Sequence, residues 1–287
     1  MERKSSQPTQ PQHKDDRVFL TTRVLAAIIV PILTIAFGML YLLPSRSGEL
    51  FAWPIRPTMT AMMLGAAYLG GAYFFIRVIQ AQQWHTVALG LLPVSAFAGY
   101  LGIATIIHWD KFTPGHISFI LWAILYFTLP FVLAYVWFEN RRTDPFEPDL
   151  HFPQLPMAMR IFFGSVGLLL MVVSLLLLLV PETMIPTWPW SLSPLTARVM
   201  AAMFVLPGLV GVKIALDARW SAARIILQAQ IGSILLILLA ILIARSDFNW
   251  SRPVAWTFAG GMVLLCVGLV TIYAYMERHS IATNTSV

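Results

Sequence analysis

Residues 161–180 read IFFGSVGLLLMVVSLLLLLV, twenty positions without a charged side chain. A bilayer core is about 30 Å thick and an α-helix rises about 1.5 Å per residue, so a stretch of this length crosses once. Working outward, seven further runs have the same character: Val18–Leu43, Thr58–Ile79, Thr86–Ile107, Ile117–Phe138, Thr196–Leu216, Ala223–Ala244 and Val254–Met276. A helix on a soluble core keeps a polar face, and these runs mostly lack one. Strands of a membrane barrel are shorter and alternate, which these do not. The expected fold is all-α: a polytopic bundle of eight transmembrane helices.

The composition agrees. Of the 287 residues, 58% are hydrophobic and 11% charged, against about 25% charged in a soluble domain. Disorder needs the reverse balance. The single Cys266 excludes a disulfide framework or a cysteine-built metal centre within one chain. The net charge of +6 comes from 19 basic and 13 acidic residues. The basic residues form no patch, so nucleic acid is not an expected partner and the lipid bilayer is. With the N-terminus inside, 13 of the 19 Lys and Arg fall on the cytoplasmic side and 6 outside, as the positive-inside rule requires. Both termini are then expected in the cytoplasm, in the plasma membrane.

Residues 1–17 read as a polar, disordered cytoplasmic tail, too long and polar for a signal peptide. Residues 18–142 form a first four-helix repeat, 143–159 a cytoplasmic linker, 160–278 a second four-helix repeat, and 279–287 a C-terminal tail. The repeat shows as ordered matches at an offset near 136. Arg23 falls on Arg160, Pro44 on Pro181, Trp53-Pro54 near Trp188-Pro189, Thr60-Ala61 on Thr196-Ala197, Arg77 on Lys213, Trp84 on Trp220, Phe112 on Phe248 and Arg142 on Arg278. Four helices return the chain to its starting side, so the repeats are expected in the same orientation, related by an axis along the membrane normal.

The first outer loop of each half is rich in Trp and Pro: Trp53-Pro54 with Pro57, and Trp188-Pro189-Trp190 with Pro194. Tryptophan favours the interface, and the sharper expectation is an aromatic lid over a cavity between the halves. Gly65-Ala66-Ala67 and Gly70-Gly71-Ala72 read as close helix packing. Between the third and fourth helices stand His108, Asp110 and His116, an imidazole–carboxylate set suited to a divalent metal; the second half has no histidine there. His85 belongs to the other membrane side. No Asp, Glu, Lys, Arg or His sits at mid-helix, which speaks against a proton-driven pump or an ion channel. Milder groups near mid-depth include Ser95, Tyr100, Ser118, Thr128 and Ser233, with Gln228 and Gln230 towards the cytoplasm. No Walker A, GxSxG, HExxH or CxxCH motif occurs, and no cofactor is evident.

Trp53-Pro54, Pro57, Thr60 and Gly65-Ala66-Ala67 resemble the Trp/Pro loop-to-helix pattern of the tryptophan-rich sensory protein family. Those proteins are five-helix bundles without a duplicated half. The resemblance covers only 53–67 and carries no function across.

The leading expectation is therefore a transport or binding module for a small apolar or weakly polar ligand between the repeats. Its ligand and lid candidates are Trp53, Trp188, Trp190, Tyr100, Gln228 and Gln230. The alternatives are an accessory subunit of a membrane complex, and a membrane enzyme or metal-binding protein using His108, Asp110 and His116.

Overall fold

The computed structural model describes residues 15–148 and 152–285, excepting the side chains of 281–285. Eight long helices dominate: α1 (Leu20–Phe37), α2 (Thr58–Gln80), α3 (His85–Ile107), α4 (Ile117–Asn140), α5 (Met157–Leu179), α6 (Pro194–Leu216), α7 (Trp220–Ile243) and α8 (Pro253–Thr285). A π-helical segment, Gly38–Leu42, extends α1. All eight are long and apolar enough to cross a membrane, and the described residues contain no strand beyond isolated bridges. The fold is that of a membrane helix bundle. Every expected run has its helix, and α8 continues beyond Arg278 to Thr285, past where a tail was expected to begin.

Burial sorts the helices into two sets. In α2, α3, α6 and α7, 61%, 67%, 61% and 44% of the apolar window is buried; in α1, α4, α5 and α8 only 28%, 28%, 28% and 17%. The first four make a central cluster, with α2 on α7, α3 on α6 and α3 on α7. The second four wrap it, α1 on α2, α4 on α3, α5 on α6 and α8 on α7. The outer helices turn Leu, Ile, Val and Phe outward, among them Phe131, Leu168 and Leu264. In lipid this costs nothing, since no water is displaced by burying such groups. Close backbone approach then decides the packing.

Glycine provides that approach. A Cβ on Gly167 of α5 would lie 2.7 Å from the Gly208 carbonyl oxygen of α6, and one on Gly211 would lie 2.6 Å from the Phe163 carbonyl oxygen. In α2, Gly65 accommodates Tyr41 and Gly70 accommodates Ser233 of α7. The expected packing role of the Gly65–Ala72 segment is met at these positions.

One end of the bundle, here the N-terminal face, gathers the segment before α1, the α2–α3 and α6–α7 turns and the connection between halves. Residues 15–17, read as part of a disordered tail, are instead pinned; residues 1–14 lie outside the described residues. The Asp16 amide donates to the Thr143 carbonyl at 3.0 Å, the Trp84 amide donates to the Asp16 carbonyl at 2.6 Å, and Arg17 bridges to Gln83. Asn140, fully buried at the end of α4, accepts from the Phe19 amide (2.9 Å) and the Thr22 hydroxyl (2.7 Å) and donates to the Arg17 carbonyl (2.8 Å). A polar stretch can be ordered when its backbone groups find partners, and here they do. Farther along, the Arg219 guanidinium, between α6 and α7, donates twice to Asp144 (2.8 and 3.1 Å) and twice to Asp217 (3.0 and 2.7 Å). Although burial opposes its charge, these bonds hold Arg219 protonated above its ordinary range, and Asp217 is kept below the usual carboxylate range against the same penalty.

Candidate functional site

One internal space lies where α2, with Val94 of α3, meets the second four helices. It is an apolar cavity of about 160 Å³, lined by Gly70 and Phe74 of α2, Phe163 of α5, Met203 of α6, Ile226, Gln230 and Ser233 of α7, and Met262 of α8. It exists because the side chains there are small or flexible: Gly70 and Ala67 on one wall, Gly167 and Gly211 on another. Two polar side chains reach it. The Ser233 hydroxyl donates across to the Ala66 carbonyl at 3.2 Å. The Gln230 amide forms no hydrogen bond among the described residues. An apolar cavity near 150 Å³ is large enough to take a benzene-sized guest, so this one suits a compact apolar molecule or a segment of an alkyl chain.

Of the sequence-derived ligand candidates, Gln230 lines this cavity; Trp53, Trp188, Trp190, Tyr100 and Gln228 do not. Gln228 instead accepts from Tyr73 at 2.5 Å and donates to Tyr273 at 2.5 Å, joining α2, α7 and α8. Arg77 donates to the same Tyr73 hydroxyl at 3.1 Å. Tyr100 is half-buried against the core.

The tryptophans sit in two aromatic clusters at the face opposite the N-terminus. Trp53 packs edge-on against Phe112 and Trp122, with centroids 5.0 and 4.8 Å away. Trp190 packs in the same manner against Phe248 and Phe258, each at 5.1 Å. The Trp190 N–H donates to Thr60 at 2.9 Å, while the indole N–H groups of Trp53 and Trp188 are buried without a partner. These rings close the ends of the helices and fix the loops before α2 and α6.

The proposed metal set is also at this face. His108 follows α3, and its Nε2 faces Arg198 Nη1 of α6 at 2.9 Å. Burial, then the Arg198 charge, lowers the His108 pKa below its ordinary 6.5. Asp110 pairs with Lys111 at 2.8 Å, and that bond lowers its pKa. His116 caps α4, its Nδ1 accepting from the Ser118 amide at 3.3 Å. The structure gives each of the three a separate partner, and no group of three or more His, Cys, Asp or Glu among the described residues is arranged to hold a metal.

A second polar constellation was not anticipated. At the N-terminal face, Asp16 Oδ2 meets His85 Nδ1 at 2.5 Å, and His85 Nε2 meets Ser221 Oγ at 3.0 Å. All three residues are buried. A polar cavity of about 280 Å³ adjoins them, lined by Arg77, Gln80, Gln83, Thr86, Ser221 and Arg224. One sequence signal was available: His85 and Ser221 are 136 residues apart, the repeat offset itself, and each directly follows a matched Trp.

No protein-family model, no curated protein and no solved structure matches the chain.

Proposed function

We propose that the chain is a multi-pass membrane module that binds and moves a small apolar or weakly polar molecule through the cavity between two tandem four-helix halves. The observation that carries the reading is the apolar cavity itself, walled by α2 and by Val94 of α3 from one half and by α5–α8 of the other. Substrate sites at the interface of repeats are a recurrent arrangement in transporters. Gln230 orients the weakly polar part of the guest.

Several observations support duplication. Helix α1 packs on α2 as α5 packs on α6; α3 packs on α4 as α7 packs on α8; and α2 meets α7 as α6 meets α3. Arg17 bridges to Gln83 and Gln154 to Arg219. Arg23 donates to the Ala81 carbonyl and Arg160 to that of Ala215. The aromatic clusters also refine the register of the loops. Trp53, with Phe112 and Trp122, answers to Trp190, with Phe248 and Phe258. The repeated Trp-Pro dipeptide had suggested Trp188. The charge distribution favours both termini in the cytoplasm, which makes the N-terminal face the inner one.

The test is equilibrium binding of a fluorescent apolar probe to the purified chain in nanodiscs. Saturable binding near one probe per chain is expected, with Met262→Trp, which fills the cavity, weakening it at least tenfold. Partitioning that never saturates, or saturable binding indifferent to Met262→Trp, would overturn the assignment.

A further inference from the structure

We propose that Ser221 is an acyl-accepting nucleophile, with His85 as its general base and Asp16 as the residue that positions the base. The N-terminal face would then carry a serine hydrolase site for a carboxylic ester that bears an anionic group. The proposal is independent of the apolar cavity and of the ligand-binding reading.

The geometry has the three parts that activate a hydroxyl: a nucleophile on a base, and the base on an orienting carboxylate. Asp16 uses both oxygens. Oδ1 accepts the His85 amide at 3.1 Å, which caps α3, and Oδ2 meets Nδ1 of the ring. Capping alone needs one oxygen; the second fixes the ring and its tautomer. With the Nδ1 proton facing the carboxylate, Nε2 is left as an acceptor, and the group 3.0 Å from it is the Ser221 hydroxyl. The carboxylate is itself held, since the Asp16 amide and carbonyl are both bonded to other segments. The members come from three separate places in the chain, the segment before α1, the start of α3 and the start of α7, so local backbone preference does not account for their meeting.

The surroundings suit acyl transfer. Ser221 lines the polar cavity, which gives a substrate a place to lie. It occupies the first turn of α7, where backbone N–H groups lack intrahelical acceptors and can receive a developing oxyanion. Arg77 and Arg224 line the same cavity. Arg224 is paired with Glu277 at 2.7 Å. Among the described residues Arg77 bonds to Tyr73 and Gln228, neutral groups, so its charge is available to an anionic substrate.

In the step itself, Ser221 Oγ attacks the ester carbonyl carbon and forms the Oγ–C bond while His85 Nε2 takes the hydroxyl proton. The carbon–alkoxy bond then breaks, and the proton passes from Nε2 to the leaving oxygen, which departs as the alcohol. Water, deprotonated by the same nitrogen, then attacks the acyl carbon; the carbon–Oγ bond breaks, Nε2 returns the proton to Oγ, and the acid is released with Ser221 regenerated. Asp16 Oδ2, held against Nδ1, orients the ring throughout and faces the imidazolium as it forms.

The experiment uses the full-length chain in detergent or nanodiscs, treated with a fluorophosphonate and analysed by intact and peptide mass spectrometry. A single adduct on Ser221 is expected, absent in Ser221→Ala. Hydrolysis of a p-nitrophenyl ester of a dicarboxylic acid should fall on the order of 10²–10⁴-fold in His85→Ala, and Arg77→Gln should raise KM with kcat nearly unchanged. Folded wild-type protein that gives neither an adduct on Ser221 nor ester hydrolysis overturns the proposal, as does labelling confined to other serines. Because the deciding measurement is made on the wild type, it does not depend on a variant folding.

Discussion

His108 shows how one contact sets a residue's chemistry. Its Nε2 faces a guanidinium at 2.9 Å, so the neutral ring is the form that fits. Burial and the Arg198 charge both disfavour the imidazolium, which places the folded pKa below 6.5. The unfolded chain therefore binds the proton first as pH falls. The stability from this contact is complete above about pH 6.5 and is lost as pH drops through the folded value. Thermal unfolding should show a lower Tm at pH 5 than at pH 7.5. Arg198→Gln should cost about 1 kcal/mol at pH 7.5 and raise the His108 pKa, read by NMR of the imidazole, though not fully to 6.5 because burial remains. A Tm independent of pH over this range would show that folding does not lower the His108 pKa. The sequence displays His108, Asp110 and His116 as neighbours but not Arg198, ninety residues on. Metal chemistry was legible as a list of donor types; the direction in which each side chain points was not.

Helices were the most legible level, because crossing a bilayer demands length and apolarity and little else. Their mutual packing follows from a finer property, whether a Cβ has room. At Gly167 the nearest atoms are backbone, Gly208 O at 2.7 Å and Val212 N at 2.8 Å, and backbone cannot swing aside. Gly167→Ala should separate α5 from α6 and destabilise the protein by about 1–3 kcal/mol. Gly260 in α8 has nothing within 4 Å, so Gly260→Ala should be neutral or stabilise by up to about 1 kcal/mol. Denaturation in mixed micelles, with both variants side by side, checks the contrast; equal effects would remove the packing account. Residues 143–159 read as a cytoplasmic linker, without a partner for any of their side chains. Asp144 is instead buried on Arg219. Arg219→Met strands that carboxylate and should cost about 3–5 kcal/mol, while Arg17→Ala, which breaks an exposed pair with Asp15, should change stability by less than about 1 kcal/mol. Nothing local distinguishes these arginines; only the fold puts one inside.

At the scale of the molecule, the sequence suggests two matched halves, but not how they would differ, because that depends on which side chains fill equivalent spaces. On the duplicated reading, the counterparts of Phe204, Ser233 and Met262 are Tyr68, Phe97 and Tyr126. In the first half the Tyr68 and Tyr126 hydroxyls bond at 2.8 Å and Phe97 packs edge-on against Tyr68 with centroids 6.4 Å apart. In the second half a serine replaces the phenylalanine and a methionine the second tyrosine, and there the cavity lies. On that reading one half is plugged and the other open, and the proposed binding module has a single site per chain despite two similar scaffolds. Removing the plug should restore the missing site. Phe97→Ala deletes a buried ring, and the space left should cost about 3–5 kcal/mol when empty. An apolar guest should recover part of that loss, since a ligand that binds only the folded state stabilises it by mass action. The apolar probe should accordingly bind Phe97→Ala at about two equivalents per chain, and Phe97→Ala combined with Met262→Trp at about one. If stoichiometry stays at one in Phe97→Ala while stability falls, the first half collapses around the deletion, and the halves differ in more than the residues that fill them.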